Sequence, residues 1–113
     1  MEIQCYLYVD EAHSIGAIGP RGRGVCDYWG VDPADVDILM GTFTKSFASV
    51  GGYVAADKKT IDYLRQRSFG QVYETSMVPG TVQQVISALN IMTGKDGTKT
   101  GKVVRLASIV TIS

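Results

Sequence analysis

Apolar residues in this chain fall into short runs separated by glycine-dense or polar stretches, and the spacing within the runs switches between strand and helix periods. Residues 5–9 are apolar, aromatic and β-branched, the pattern of a buried strand that ends at Asp10. Gly16, Gly19, Gly22 and Gly24 with Pro20 follow, a density no helix or strand interior tolerates, so residues 10–24 are expected to be a loop. Residues 25–29 suit a helical turn that Asp32-Pro33 ends. Residues 36–40 and 51–56 predict two more strands. Asp57 is placed to cap a helix running to about Arg67, with Ile61, Leu64 and Ser68 on its inner side. Residues 71–75 predict a further short strand. The best helix signal begins near Pro79: Val82, Val85, Ile86 and Leu89 keep an i, i+3, i+4, i+7 spacing, and Gly94 supplies the stop.

Strands alternating with helices predict an α/β fold. With 113 residues, 45% hydrophobic and 19% charged, the chain has the make-up of a globular domain or part of one, not of a disordered tail. Eleven basic residues balance eleven acidic ones, which argues against nucleic acid or anionic lipid as a general electrostatic partner. Cys5 and Cys26 match no zinc spacing and no secreted disulfide framework, so a reducing, intracellular setting is expected. No apolar run reaches the ~18 residues of a membrane span, and residues 1–10 lack the plan of a signal peptide. Both ends read as cut. The chain is expected to be a fragment, with residues 103–113 a divergent or truncated tail.

Two groups of chemically useful residues each lie just past a predicted strand, where open α/β sheets bind ligands. One is Asp10-Glu11-Ala12-His13-Ser14; the other is Thr42-Phe43-Thr44-Lys45-Ser46. A carboxylate, the one histidine, a lysine and flanking hydroxyls fit the needs of pyridoxal phosphate. A lysine amine bonds that cofactor and is helped by a desolvated site. Asp10 suits the pyridine nitrogen, His13 the phenolic oxygen, and Thr42, Thr44 or Ser46 the phosphate. The plain alternative is a solvated lysine in an ordinary turn, with Asp10 and His13 making local hydrogen bonds. An ATP-driven helicase also carries Asp-Glu-Ala-His after a strand, but it needs a G-x-x-x-x-G-K-[ST] loop, which this chain does not contain. Asp10, Glu11 and His13 lack the second His or paired Cys of a metal site. The arginine-glycine run from Gly19 to Gly24 reads as a structural turn, and Tyr28 and Trp29 as packing residues.

The stretch from Tyr8 to Gly24, headed by Asp10-Glu11-Ala12-His13, and the stretch from Val36 to Phe47, ending in Gly41-Thr42-Phe43-Thr44-Lys45-Ser46-Phe47, resemble the α-oxoamine synthases. These fold type I pyridoxal phosphate enzymes condense an amino acid with an acyl-CoA. Thirty-five positions separate Asp10 from Lys45, and the resemblance runs from about Tyr6 to Gly97. It implies that residues 1–102 are part of a large, aspartate-aminotransferase-like cofactor domain, a mostly parallel sheet flanked by helices. The wording around Lys45 is nearest the catalytic long-chain-base subunits of the branch that joins L-serine to palmitoyl-CoA. The resemblance implies that Lys45 bears the cofactor and is the base, that Asp10 meets the ring nitrogen, and that His13 meets the phenolic oxygen. It places Thr42, with Thr44, at the phosphate, and Thr75 in a segment reaching the phosphate of a neighbouring subunit. It also implies a sister subunit or a second copy as partner, and the cytosolic face of the endoplasmic reticulum membrane, contacted through segments outside this chain. A relative using glycine or alanine, and a non-catalytic relative that only binds partner subunits, are the alternatives.

Overall fold

Three strands form one sheet in the order β1 (Tyr8–Asp10), β2 (Ile38–Thr42) and β3 (Gly52–Ala56). The structure is a computed structural model that describes residues 5–97, so the expected tail at 103–113 lies outside the described residues. The expected parallel pairing holds for β1 and β2, with Asp10 opposite Met40. The long connection between them, which carries α1 (Val25–Trp29) and a 3-10 turn at Pro33–Asp35, is what a parallel pair requires. β3 runs antiparallel to β2, because the short loop between them holds no crossover element. Within the described residues the sheet is therefore mixed.

β1 is shorter than the apolar run at residues 5–9 suggests. The Leu7 N–H donates to the Asp37 carboxylate at 2.7 Å, so a side chain takes the place of a ladder carbonyl there.

α2 (Lys58–Arg67) begins where expected: the Asp57 carboxylate accepts from the Thr60 N–H at 3.0 Å and from the Thr60 hydroxyl at 2.6 Å. Lys58 pairs with Asp62 one turn on. Ile61 and Leu64 face Met40 and Val54 across an open cavity of about 610 Å³. The strand expected at residues 71–75 is instead the end of a helix, α3 (Phe69–Tyr73). Ser68 caps it by accepting from the Gln71 N–H at 3.4 Å, and Phe69 stacks on Tyr73 with ring centroids 6.0 Å apart. That i, i+4 pair favours helix over the extended chain its β-branched neighbours suggest.

α4 (Pro79–Thr93) has proline in its first turn and ends at Gly94, whose φ of 70° is the left-handed conformation that closes the last turn. Its Val85 is buried, whereas Val82, Ile86 and Leu89 remain partly exposed. Tyr28 and Trp29, expected to pack, meet edge to face at 5.1 Å, yet Trp29 stays 72% exposed. None of the helices among the described residues is long and apolar enough to cross a membrane.

The glycine-rich stretch folds as a hairpin-like loop closed by one carboxylate. Asp27, its side chain only 2% exposed, accepts from the Arg21 N–H and Nε at 2.8 Å and pairs with the Arg21 guanidinium at 2.7 Å. It also accepts from the Arg23 N–H at 3.3 Å. Gly19, at φ 92°, leaves room for it, since a Cβ there would fall 2.6 Å from Oδ2. Burial raises the Asp27 pKa, but the hydrogen bonds from Arg21 and Arg23 outweigh it and hold the carboxyl below its ordinary value. A carboxyl depressed in this way stabilises the fold above its unfolded pKa, about 4, and loses that contribution as pH falls through the lower folded value. The protection of the amides in residues 19–24, measured against the intrinsic exchange rate at each pH, is therefore expected to fall below about pH 4, and Asp27→Asn is expected to show low protection already at pH 7.

Candidate active site

The sheet delivers both chemical stretches to one end. β1 and β2 are parallel, so the residues that follow them, Glu11 and Phe43, leave the sheet on the same side. The Glu11 N–H extends the ladder by donating to the Met40 carbonyl at 2.6 Å. The chain then turns, with the Ala12 N–H donating to Asp10 Oδ1 at 2.8 Å and the Ser14 and Ile15 N–H groups donating to the Glu11 carbonyl at 3.0 Å. Asp10 and His13 face outward and are exposed; Glu11, Ala12 and Ser14 are buried.

The lysine loop is the connection from β2 to β3. The Phe43 N–H donates to the Gly51 carbonyl at 2.9 Å, and the Ser49 N–H to the Phe43 carbonyl at 2.8 Å. Phe47, only 1% exposed, anchors the loop and meets Phe43 edge to face at 5.2 Å; Phe43 in turn lies 5.5 Å from the Tyr53 ring. α4 supports the loop from behind, where the Ser49 hydroxyl donates to the Thr81 carbonyl at 3.1 Å. Lys45 sits between the two phenylalanines, pointing away from the core and exposed.

One hydroxyl joins the two stretches. Thr42 Oγ1 donates to the Ala12 carbonyl at 3.4 Å, and it accepts from Lys45 Nζ at 3.4 Å and from the Thr44 hydroxyl at 3.2 Å. Lys45, Thr42 and Thr44 are thereby brought together, with Asp10 and His13 on either side of the residue that Thr42 touches. The loops also meet at Gly16, whose φ is 80° and where a Cβ would lie 2.5 Å from Ser46 Cβ. Thr75 is exposed just beyond the end of α3 and makes no side-chain hydrogen bond with this group among the described residues. The desolvation expected around the lysine is not supplied by the described residues, which leave Lys45 open to solvent.

These donors fit pyridoxal phosphate: an amine for a covalent bond, hydroxyls beside it for a phosphate, and an exposed carboxylate and imidazole for the ring. The family model for aminotransferase class I and II matches residues 1–100. The chain belongs to the aminotransferase class I and II family. Among curated aminotransferase-family relatives, serine palmitoyltransferase 2 of Dictyostelium discoideum is 61% identical over 98 residues, covering 87% of this chain and 20% of that protein. Long chain base biosynthesis protein 2d of Oryza sativa subsp. japonica is 60% identical over 98 residues, with the same coverage of 87% and 20%. The chain thus spans about a fifth of the length of the curated relatives it matches. A high-resolution structure of SPT with its PLP internal aldimine superposes with a TM-score of 0.70 at 31% identity, covering 80% of this chain and 23% of that one. Sphingomonas wittichii serine palmitoyltransferase gives 0.69 at 35% identity, covering 78% and 22%.

Three features of the site escaped the sequence reading. The inward Glu11 carboxylate, the Gly16–Ser46 contact and the support from α4 all depend on tertiary neighbours. A fourth lies at Ala48, which holds φ 48° and whose N–H donates to the Lys45 carbonyl at 3.1 Å. A left-handed alanine is strained by its Cβ, so Ala48→Gly is expected to stabilise the fold by about 1 kcal/mol. A higher urea midpoint at unchanged slope would show it.

Proposed function

We propose that this chain forms the cofactor-binding wall of an enzyme that condenses L-serine with palmitoyl-CoA, releasing carbon dioxide and CoA and leaving a 3-keto sphingoid base. The observation that carries the reading is the Thr42 hydroxyl, which ties Lys45 Nζ to the turn bearing Asp10 and His13. The high identity to proteins named serine palmitoyltransferase supports the choice of reaction. Residues 1–102 are taken as part of the cofactor-binding large domain, and residues 103–113 as a divergent tail.

Pyridoxal phosphate, when bound, supplies an electron sink for the bonds at the amino-acid α-carbon. Lys45 would hold it covalently until the substrate amine takes its place, and the amine so freed would serve as the base that takes the α-proton. Asp10 holds a proton at the ring nitrogen, and His13 orients the ring through its phenolic oxygen. Thr42 and Thr44 would turn their hydroxyl protons to the phosphate, exchanging for it the bonds they donate here to the Ala12 carbonyl and to Thr42. Thr75, carried beyond the exposed Phe69–Tyr73 stack, reaches the phosphate of a neighbouring subunit, which is a sister long-chain-base subunit or a second copy. The whole protein works at the cytosolic face of the endoplasmic reticulum membrane, held there by segments outside this chain.

The test is to purify the chain with pyridoxal phosphate, record the absorbance band of a lysine-bound cofactor, reduce with borohydride and map the adduct. The adduct is expected at Lys45. Its appearance elsewhere, or its failure to form, rejects the catalytic reading for this chain and leaves a partner-binding relative. Turnover of glycine or alanine in preference to serine by the whole protein would reassign the substrate.

A further inference from the structure

Glu11 is a buried ionisable group that the proposed chemistry leaves unused and that lies within the site's own turn. It lies between the two outward-facing residues of the β1 turn, and its side chain points the other way, with 3% of its surface exposed. Its carboxylate accepts from the Val25 N–H at 3.0 and 3.1 Å and from the Ser14 hydroxyl. It lies directly against Gly24, at φ 88°, where a Cβ would stand 2.3 Å from Oε2. No lysine or arginine pairs with it among the described residues. A carboxylate is costly to bury, and this one is held only by neutral donors. An apolar side chain would fill the same space without that cost. What the carboxylate adds is direction: it ties the turn to the first N–H of α1 and to Ser14, so rotation of the peptide between Asp10 and His13 is fixed from both sides. The same turn presents the Ala12 carbonyl to Thr42, and through it to Lys45.

We propose that Glu11 is a positioning residue of the site, its carboxylate locked between Val25, Ser14 and Gly24 so that Asp10 and His13 face the cofactor together. The proposal rests on the cofactor reading above for what the two residues face, but its geometry stands without it. In the full chain loaded with pyridoxal phosphate, Glu11→Ala is expected to weaken cofactor uptake about tenfold, the effect of releasing one buried, charge-assisted anchor. It is also expected to shift the pH midpoint of the cofactor absorbance band, because the ring's contacts at Asp10 and His13 are displaced. Glu11→Gln should restore both, since its amide oxygen can take the Val25 N–H while its NH2 donates to the Ser14 hydroxyl. Gly24→Ala should reproduce the Glu11→Ala behaviour by occupying the carboxylate's place. Lys58→Ala, on α2 and paired with Asp62, touches neither turn and should leave uptake and midpoint as they are.

His13 is the single histidine of the chain, so its two carbon-bound ring protons are the chain's only imidazole resonances and give an NMR signal that needs no cofactor. That signal should move in Glu11→Ala and return in Glu11→Gln. If Glu11→Ala does not fold by circular dichroism, Ser14→Ala, which removes one donor, carries the same measurements. A folded Glu11→Ala with unaltered uptake, midpoint and His13 signal overturns the proposal, as does a folded Glu11→Gln without rescue. Should the unsubstituted chain bind no cofactor, the proposed function fails, and the His13 signal alone decides the role of Glu11.

Discussion

Lys45→Ala is expected to remove the borohydride-fixed cofactor adduct entirely while leaving the fold intact. The amine is exposed and makes one 3.4 Å hydrogen bond to Thr42, and the loop that carries it is held by backbone bonds and by Phe47. Truncating an exposed side chain of this kind costs the fold less than about 0.5 kcal/mol. The loss of adduct is therefore chemical and not structural. Unchanged circular dichroism, together with the absence of any cofactor-bearing peptide after reduction, would establish it. Lys58 is the instructive comparison: it is already paired with Asp62 on α2 and has no hydroxyl partner, so Lys58→Ala should leave the adduct at full yield. An adduct that persists in Lys45→Ala would refute the role assigned to this lysine.

Phe47→Ala should have the largest effect on stability, a loss of about 3–5 kcal/mol from the transfer and cavity costs of a buried ring. Among the described residues it is the one side chain less than 2% exposed, and it is the ring on which Phe43, and through Phe43 Tyr53, depends. A small domain has about twice that stability in total, so the urea midpoint should fall by about half. The second consequence is local. Phe43 and Phe47 flank Lys45, and when one of the two rings is removed the loop loses its anchor, so cofactor uptake should fall with stability. Phe47→Leu keeps much of the volume and should recover most of both. Equal midpoints for Phe47→Ala and the parent chain would show that the core lies elsewhere.

Much of the scaffold was legible because local chemistry and tertiary structure agree. Asp57, Pro79 and Gly94 mark helix ends by mechanisms that act within one turn, and all three do so here. Residues 38–42 and 52–56 are strands whose apolar runs could be read directly, with boundaries shifted by one or two positions. Residues 71–75 were not legible as helix because what favours it there, a Ser68 cap and a Phe69–Tyr73 stack, begins before the β-branched residues that suggest a strand. The site divides in the same way. Thr42 ends one strand, with Thr44 and Lys45 just past it; Asp10 ends another, with His13 just past it, and the parallel register brings both groups to one end. Glu11 could not be read from its position, since whether a carboxylate beside an exposed aspartate turns inward depends on Gly24 and Val25, more than a dozen residues away.

The single hydroxyl at Thr42 has a consequence for how such a chain can change over generations. Because it serves the Ala12 carbonyl, Thr44 and Lys45 at once, the turn after β1 and the loop after β2 do not vary independently. A substitution acceptable in one lineage can be harmful in another whose opposite loop differs, since residues sharing one hydrogen-bond network have non-additive effects. Drift at residues 42, 44 and 45 is thus constrained as a group, while residue 12 contributes a backbone carbonyl that any residue supplies, so what the first turn must keep is its path; transplanting either stretch alone into a distant relative carries the cost of a mismatched partner.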